Sequence, residues 1–175
     1  ERASHLVHQL LTLARLESQP PQVRQTLDLV EWVQVLLARA QPAALARRID
    51  LGLESPETLR ALVDVQLLQS VVDNLVSNAL AYVHDGARVT VTLTEEPGDL
   101  VLCVADDGPG IPAEERARLM ARFQRGRAVA SPGSGLGLSI VAQAASQLGG
   151  RLHMVAGLDG RGIGFVVRIS KPGRG

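Results

Sequence analysis

A carboxylate and two glycines follow an apolar run in the middle of the chain and could bind a flat, polar ligand. The run, residues 100–105, predicts a buried strand, and Asp106 stands where that strand ends. Its carboxylate could accept hydrogen bonds from an exocyclic amine or from amides. Gly108 and Gly110 would let the backbone turn sharply beside the ligand, and Pro109 would stiffen that turn. Since such a segment alone is more often a plain turn, its meaning depends on its surroundings.

Two asparagines, Asn74 and Asn78, lie one helical turn apart at the edge of an apolar stripe. The stripe predicts a helix over residues 65–83 that Asp64 caps, and Tyr82 lies one turn further along the same side. Asparagine costs about half a kcal/mol relative to alanine inside a helix, so two at one seam require an explanation. Their amide oxygens could hold a hard cation such as Mg²⁺. The alternative is that both are exposed or bonded locally.

A glycine-rich segment, residues 133–138, leads into an apolar helix predicted over residues 139–148. Glycines at a helix start leave backbone N–H groups and the positive end of the helix dipole free for an anion. The preceding residues 124–135 are small and polar and contain glycine and proline, which predicts a loop or lid. Arginines nearby could reach a phosphate, or could simply form a solvated helix face.

Two common phosphate-binding designs do not fit this segment. A P-loop requires a lysine directly after its glycines, and the only lysine is Lys171, near the C-terminus. A dinucleotide-binding loop could begin at Gly108, but it requires a second strand and an acidic residue about 20 positions later, and residues 124–135 offer neither. A third design remains, in which an amide-bearing helix, a strand-end aspartate and a glycine-rich helix start share one site.

These segments resemble the sequence boxes of bacterial sensor histidine kinases. Residues 74–79 (NLVSNA), 106–111 (DDGPGI), 123–125 (FQR) and 133–138 (GSGLGL) are similar, in that order, to the N, G1, F and G2 boxes of the family. The amphipathic helix predicted for residues 1–17 resembles the second dimerisation helix that precedes the catalytic domain. The resemblance implies the ATP-binding fold that these kinases share with type II topoisomerases, Hsp90 and MutL.

The resemblance also implies roles for individual residues of a site for ATP and Mg²⁺. Asn78 would be the metal ligand, and Asn74 would bear on the phosphates or their waters. Asp106 would accept the adenine amine, while the backbone of Gly108 and Gly110 passes under the base. Asn74, Asn78 and Arg125 would act on the reaction by positioning and charge stabilisation. The other implied contacts are Ile111 with the base, Tyr82 with the ribose and phosphates, Arg125 with the phosphates, and the backbone of Gly133, Gly135, Leu136, Gly137 and Leu138 with the triphosphate.

Three positions depart from the family pattern. Ala81 stands where a phosphate-contacting lysine or arginine is frequent, and Arg125 or Arg127 could compensate. Met120 replaces the first aromatic residue of the F box, and Gln124 replaces the tyrosine before the lid arginine. We expect these changes to affect lid docking and catalytic rate, but not nucleotide binding.

The histidine that accepts the phosphoryl group in this family has no counterpart here. The acceptor lies in an H-E/D-x-x-x-P context on the first dimerisation helix, and neither His5 nor His8 has that context. Both are interpreted as ordinary helix-surface residues. We therefore expect the chain to bind Mg-ATP without phosphorylating itself.

The proline-containing stretch 18–22 predicts a domain boundary. Residues 1–18 are interpreted as the C-terminal part of the second dimerisation helix, and residues 19–175 as the catalytic ATP-binding domain. The expected fold is an α/β (α+β) sandwich of the Bergerat type. It has one mixed, mostly antiparallel sheet of about five strands backed by about three helices.

Within the catalytic domain, a helix is predicted over residues 30–48, and Pro42 should kink or divide it. Residues 49–53 and 59–63 are predicted to form two short strands that pair with each other. Cys103 lies inside the apolar run and is interpreted as a small core residue.

The composition argues against a nucleic-acid or membrane surface. Eighteen basic and eighteen acidic side chains cancel, and aromatic residues make up only 2% of the chain. No apolar run approaches the roughly 18 residues of a membrane-spanning helix. We expect this fragment to be soluble. The resemblance to sensor histidine kinases implies that it belongs to a longer, membrane-anchored homodimer whose catalytic domain lies on the cytoplasmic side.

The function that the resemblance implies is transfer of the γ-phosphoryl group of ATP to a histidine of the dimerisation domain, for relay to an aspartate of a response regulator receiver domain. One alternative is a catalytically degenerate nucleotide-binding scaffold, which Ala81 and the altered F box suggest. A second alternative is a serine kinase of the anti-sigma type on the same fold, against which the leucine-rich first helix argues.

Overall fold

The computed structural model describes residues 24–124 and 135–171, which contain seven strands and four α-helices. The predicted dimerisation helix, with His5 and His8, lies outside these residues. In chain order the elements are β1 (Arg24–Asp28), α1 (Leu29–Ala46), β2 (Asp50–Glu54), β3 (Arg60–Asp64), α2 (Val65–Tyr82), β4 (Arg88–Glu96), β5 (Asp99–Asp106), α3 (Ala113–Gln124), α4 (Gly135–Gln147), β6 (Gly150–Ala156), a 3₁₀ turn (Leu158–Gly160) and β7 (Ile163–Ser170).

Five strands form the main sheet in the order β2-β4-β5-β7-β6. β2 pairs with β4 in parallel, whereas the other three pairs are antiparallel. The predicted mixed, mostly antiparallel sheet of five strands is therefore confirmed. β5 lies in the middle of this sheet, which explains why its residues form an unbroken apolar run.

Three helices back the sheet, as predicted. α2 packs against both α1 and α4 and lies on β4 and β5, while α1 contacts β2 and α4 contacts β6 and β7. The core between these layers contains large side chains that are almost fully buried. They include Val71, Val72 and Leu75 of α2, Val89 and Val91 of β4, Leu102 of β5 and Ile140 and Val141 of α4.

The predicted pairing of the strands at residues 49–53 and 59–63 is wrong. β3 pairs antiparallel with β1 in a separate two-stranded sheet, whereas β2 joins the main sheet. Ile49 and Leu51 are buried in the main core, which holds β2 against β4. Two short strands separated by a turn look like a hairpin in sequence, because turn signals are local and the true partners are distant in the chain.

Aspartates at the ends of β1 and β3 begin the two helices that follow. Asp28 accepts a hydrogen bond from the N–H of Val30 at 2.9 Å, and Asp64 accepts from Gln66 at 3.0 Å and Leu67 at 3.1 Å. Such caps contribute about 1 kcal/mol each. The predicted cap at Asp64 is thus confirmed, and it fixes where α2 starts.

A predicted division of one helix is absent, and one predicted helix start requires correction. Pro42 does not divide α1, which continues from Leu29 to Ala46. Pro42 and Ala38 are both exposed, so water can satisfy the carbonyl that loses its helical partner. α4 begins at Gly135, earlier than predicted, so the glycine-rich segment already forms its first turn.

Candidate functional site

Asp106 ends β5 with its side chain buried, at 5% exposure. Its Oδ1 accepts a hydrogen bond from the N–H of Gly108 at 2.9 Å and a longer one from Ile163 at 3.3 Å. Burial raises the pKa of the Asp106 carboxyl, while the two backbone bonds oppose that rise. Among the described residues both donors bond Oδ1, so Oδ2 keeps its capacity to accept from a ligand.

Three positions around this carboxylate are glycines, and a side chain at any of them would come too close to neighbouring atoms. A Cβ at Gly108 would approach Oδ1 of Asp106 to 3.0 Å and Cγ1 of Val83 to 3.1 Å. Gly110 has φ +70°, and a Cβ there would lie 3.0 Å from the carbonyl oxygen of Gly162. A Cβ at Gly162 would overlap the main chain and Oδ1 of Asp106. Gly108 and Gly110 were predicted site residues, but Gly162 was not, although several glycines precede β7.

Asn74 and Asn78 face the first turn of α4. A Cβ at Gly137 would lie 3.2 Å from Oδ1 and 3.3 Å from Nδ2 of Asn78, and 3.4 Å from Oδ1 of Asn74. The Nδ2 of Asn74 donates to the carbonyl of Ser70 at 2.8 Å, which orients its oxygen away from that bond. Both asparagines are half-buried. The alternative of local bonding therefore describes part of the environment of Asn74, but neither asparagine is exposed.

The start of α4 presents backbone donors beside these amides. The first N–H groups of a helix have no intrahelical acceptor, so those in the first turn from Gly135 can bind an anion. Leu136 is buried in the core, and Leu138 is half-buried against it. Their side chains anchor the turn, which leaves only their backbone groups to contact a ligand.

The asparagine pair and the aspartate lie at the same end of α2. Gly108 packs against Val83, the residue directly after this helix. Val83 follows Asn78 by five positions, which corresponds to about 7.5 Å along a helix axis. Asn78 and Asp106 are therefore on the same side of the molecule, and Ile111, half-buried against the core, follows the same glycine turn.

Arg47, which follows α1, fixes the end of α2. Its guanidinium donates to the carbonyl of Leu80, to that of Val83 at 2.6 Å, and to Oδ1 of Asp85 at 2.9 Å. The last carbonyls of a helix lack intrahelical partners, so this arginine satisfies groups that would otherwise require water. No sequence pattern predicted this contact. Tyr82, the last residue of α2, is 57% exposed beside it.

The remaining predicted site residues lie outside the described residues. They are Arg125 and Gly133, together with Arg127, which was expected to compensate for Ala81. The side chains of Met120 and Gln124 are likewise outside the description. Ala81 itself is exposed and borders a groove of about 450 Å³ between α1 and α2.

Comparisons with known proteins agree on one family. Residues 63–175 match the family described as histidine kinase-, DNA gyrase B-, and HSP90-like ATPase. The chain is 34% identical over 171 residues to the swarming motility regulation sensor protein RssA of Serratia marcescens, covering 97% of this chain and 36% of RssA. It is also 34% identical over 179 residues to the sensor-like histidine kinase SenX3 of Mycobacterium tuberculosis, covering 99% of this chain and 40% of SenX3.

A solved structure of the mycobacterial sensor histidine kinase MprB has a similar fold. It is 29% identical, with a TM-score of 0.69, and the match covers 85% of this chain and 98% of that one. The chain thus spans only 36% and 40% of the two curated relatives, but it matches nearly all of this structure. Over the described residues, no helix combines the length and apolar character that crossing a membrane requires.

Proposed function

The chain belongs to the family of histidine kinase-, DNA gyrase B- and HSP90-like ATPases, and from this premise we propose that it is the ATP-binding kinase core of a two-component sensor histidine kinase. The core would transfer the γ-phosphoryl group of ATP to a histidine of the dimerisation domain. The observation that carries the proposal is the approach of Gly137 to the amides of Asn74 and Asn78, next to the end of α2 that packs on Gly108.

The base side of the site, defined as Asp106, Gly108, Gly110 and Gly162, would bind adenine. Oδ2 of Asp106 would accept the exocyclic amine, which guanine does not present at that position. The close contacts of Gly108 with Asp106 and of Gly110 with Gly162 leave no room for a side chain in this turn, and its backbone would pass under the flat base, with Ile111 contacting the base. Because the carboxylate is buried, this hydrogen bond would be stronger than one in water.

The phosphate side, defined as Asn74, Asn78 and Gly137 with the first turn of α4, would bind the triphosphate. Backbone N–H groups from Gly135 onwards would receive the phosphates, with Gly133, Tyr82 and Arg125 as further predicted contacts. Asn78 would ligate Mg²⁺ through its amide oxygen. Asn74, Asn78 and Arg125 would then act by holding the phosphates in line and stabilising charge.

A magnesium ion fits the chemistry of this side. No group of three or more histidine, cysteine or acidic side chains among the described residues could form a protein-only metal cage. A cation beside Asn78 would thus take most ligands from phosphates and water, which is the usual coordination of Mg²⁺. When bound, it would neutralise phosphate charge during transfer, while Asn78 fixes its place.

The partners follow from the resemblance to sensor kinases. The acceptor would be the dimerisation domain of the same protein, to which residues 1–18 would belong, and the product would be relayed to an aspartate of a response regulator receiver domain. The whole protein would be a membrane-anchored homodimer with this domain on its cytoplasmic side. Stimulus and cognate regulator would be set by other parts of that protein.

Titration of the chain with ATP, with and without Mg²⁺, tests the proposal. We expect ATP to bind in preference to GTP and Mg²⁺ to strengthen binding, an enhancement that Asn78→Ala should remove. Incubation with γ-labelled ATP should leave no acid-labile label on the isolated chain, because the acceptor histidine is absent. Failure of the wild-type chain to bind ATP would refute the proposal.

A degenerate scaffold on the same fold is the second candidate, and Ala81 favours it. This residue offers no charge to the phosphates, and the nearby Arg47 guanidinium is committed to carbonyls and to Asp85. Supplying a dimerisation domain in trans separates the candidates, since a kinase transfers phosphate to it and a scaffold only binds ATP. The anti-sigma alternative has no such support, because the matched relatives are named as sensor proteins.

A further inference from the structure

Arg88, the first residue of β4, makes hydrogen bonds to Asp107, which directly follows Asp106 in the chain. Its N–H donates to Oδ1 of Asp107 at 2.7 Å, its Nε donates to Oδ2 at 3.2 Å, and its carbonyl accepts from the Asp107 N–H at 3.2 Å. Burial alone would raise the pKa of Asp107, but these bonds and the arginine charge outweigh it and lower that pKa. Asp107 is therefore fixed on one flank of Asp106.

The same guanidinium also contacts the turn between β6 and β7, which lies on the other side of Asp106. One Nη of Arg88 donates to the carboxylate of Asp159, in the 3₁₀ turn between β6 and β7. Asp159 has φ +53°, a left-handed conformation that aspartate and asparagine tolerate better than most residues. The local backbone thus sets the shape of this turn, and Arg88 ties the turn to the start of β4.

This turn also closes around Asp106 itself. A Cβ at either Gly157 or Gly162, the glycines that flank it, would overlap the carbonyl oxygen of Asp106. The N–H of Ile163, the first residue of β7, donates to Oδ1 of Asp106 at 3.3 Å. Any displacement of the turn would therefore move a donor that orients the carboxylate.

We propose that Arg88 is a positioning residue for adenine selection, which fixes the Asp106 carboxylate by tying Asp107 on one side and the Asp159 turn on the other. The inference rests on the proposed function, since it assumes that Asp106 accepts the adenine amine. Arg88 itself does not touch the base. It acts by limiting how far the two flanking segments move.

A change in charge near a triphosphate site alters affinity for every nucleotide, so affinity for ATP alone is an insufficient readout. Inosine triphosphate carries the same phosphates but has a carbonyl oxygen in place of the exocyclic amine. The ratio of ATP affinity to inosine triphosphate affinity therefore reports the Asp106 contact separately from general electrostatics. Arg88→Gln removes a positive charge and Asp159→Asn removes a negative one, so electrostatics would change affinity in opposite directions.

The experiment measures both dissociation constants by calorimetry, with Mg²⁺, for the wild-type chain, Arg88→Gln, Asp159→Asn and Arg168→Gln. Arg168 is the matched control, because its side chain is 43% exposed against 47% for Arg88, and it pairs with Glu96 at the opposite end of the sheet. We expect the affinity ratio to fall about threefold in both Arg88→Gln and Asp159→Asn, a size typical of exposed ion pairs. Arg168→Gln should leave the ratio unchanged.

Two results would overturn the inference. One is that Arg88→Gln weakens the binding of ATP and of inosine triphosphate by the same factor. The other is that the ratio of the two affinities changes in opposite directions in Arg88→Gln and Asp159→Asn. Asp159→Asn preserves the left-handed backbone, so it remains informative if Arg88→Gln does not fold. If the wild-type chain binds neither nucleotide, the proposed function fails. If it prefers ATP and both variants keep that preference, only the role of Arg88 fails.

Discussion

The base side and the phosphate side of the candidate site are built by different means. On the base side, the buried Asp106 accepts hydrogen bonds from backbone N–H groups of the glycine turn after β5 and of the first residue of β7, while the start of β4 bonds the neighbouring Asp107. On the phosphate side, half-buried amides of one helix lie against Gly137 in the first turn of another. Recognition of a base thus depends on sheet topology, whereas recognition of phosphate depends on where two helices begin and end.

Asp106→Asn should have the largest effect, and it should be confined to the base side. Charge-assisted hydrogen bonds contribute about 1.5–3 kcal/mol, so we expect ATP to bind roughly 10- to 150-fold more weakly and the preference over GTP to disappear. Asp99→Asn, at the other end of β5, is the control and should change neither quantity. Retained preference for ATP in Asp106→Asn would show that the base is read elsewhere.

Gly137→Ala should damage the phosphate side while stabilising the fold. Alanine in place of a helical glycine stabilises by up to about 1 kcal/mol, but its Cβ would lie 3.2 Å from the Asn78 amide and displace it. We expect a higher melting temperature together with roughly fivefold weaker ATP binding, the equivalent of one hydrogen bond.

Gly52→Ala provides the comparison, because a Cβ at Gly52 meets no atom within 4 Å. It should leave ATP affinity unchanged. Stronger ATP binding in Gly137→Ala would mean that the contact with Asn78 does not serve the nucleotide.

Arg47→Met should weaken both sides, since the end of α2 connects them. The substitution leaves the carbonyls of Leu80 and Val83 without the guanidinium donor, and Val83 packs on Gly108. We expect a loss of about 1 kcal/mol in the free energy of unfolding, measured by urea denaturation, and a modest fall in ATP affinity. Arg39→Met, on the same groove, should be nearly neutral. Equal effects of the two substitutions would argue against a special role for Arg47.

The smallest expected effects concern two adjacent carboxylates whose pKa values shift in opposite directions. The folded pKa of Asp106 is raised, so its contribution to stability is complete below the ordinary pKa of 3.8 and is lost as pH rises through the raised value. The folded pKa of Asp107 is lowered, so its contribution is present above 3.8 and is lost as pH falls through the lowered value.

At neutral pH and without nucleotide, Asp106→Asn should therefore be more stable than the wild type, and Asp107→Asn less stable. Both differences should vanish in acid. Urea denaturation at a series of pH values checks this, and a common sign for the two variants at neutral pH would be inconsistent with it.

Local signals in the sequence were enough to predict the helix that carries Asn74 and Asn78. The 3.6-residue period of α2, the cap at Asp64 and the spacing of Asn74 and Asn78 lie within one helix. The unbroken apolar run likewise predicted β5 and placed Asp106 at its end. The start of α4 was misplaced, because glycines are poor helix formers yet occupy its first turn.

Non-local contacts were beyond the reach of the sequence. The pairing of β3 with β1, the glycine contact at Gly162 and the arginine contacts of Arg47 and Arg88 all join segments distant in the chain. Arginines have no periodic signature, and a glycine that avoids a clash looks the same in sequence as one in a plain turn. The contacts that surround Asp106 were therefore missed, although its place at the end of β5 was predicted correctly.

Competition against a bound fluorescent ATP analogue tests most directly whether the base side and the phosphate side form one nucleotide site. With Mg²⁺ present, adenosine and tripolyphosphate should each displace the analogue completely, each far more weakly than ATP. Asp106→Asn should weaken displacement by adenosine alone, and Asn78→Ala displacement by tripolyphosphate alone. Inability of ATP to displace the analogue, or weakening of both competitors alike by either substitution, would contradict the assignment of separate base and phosphate contacts within one site.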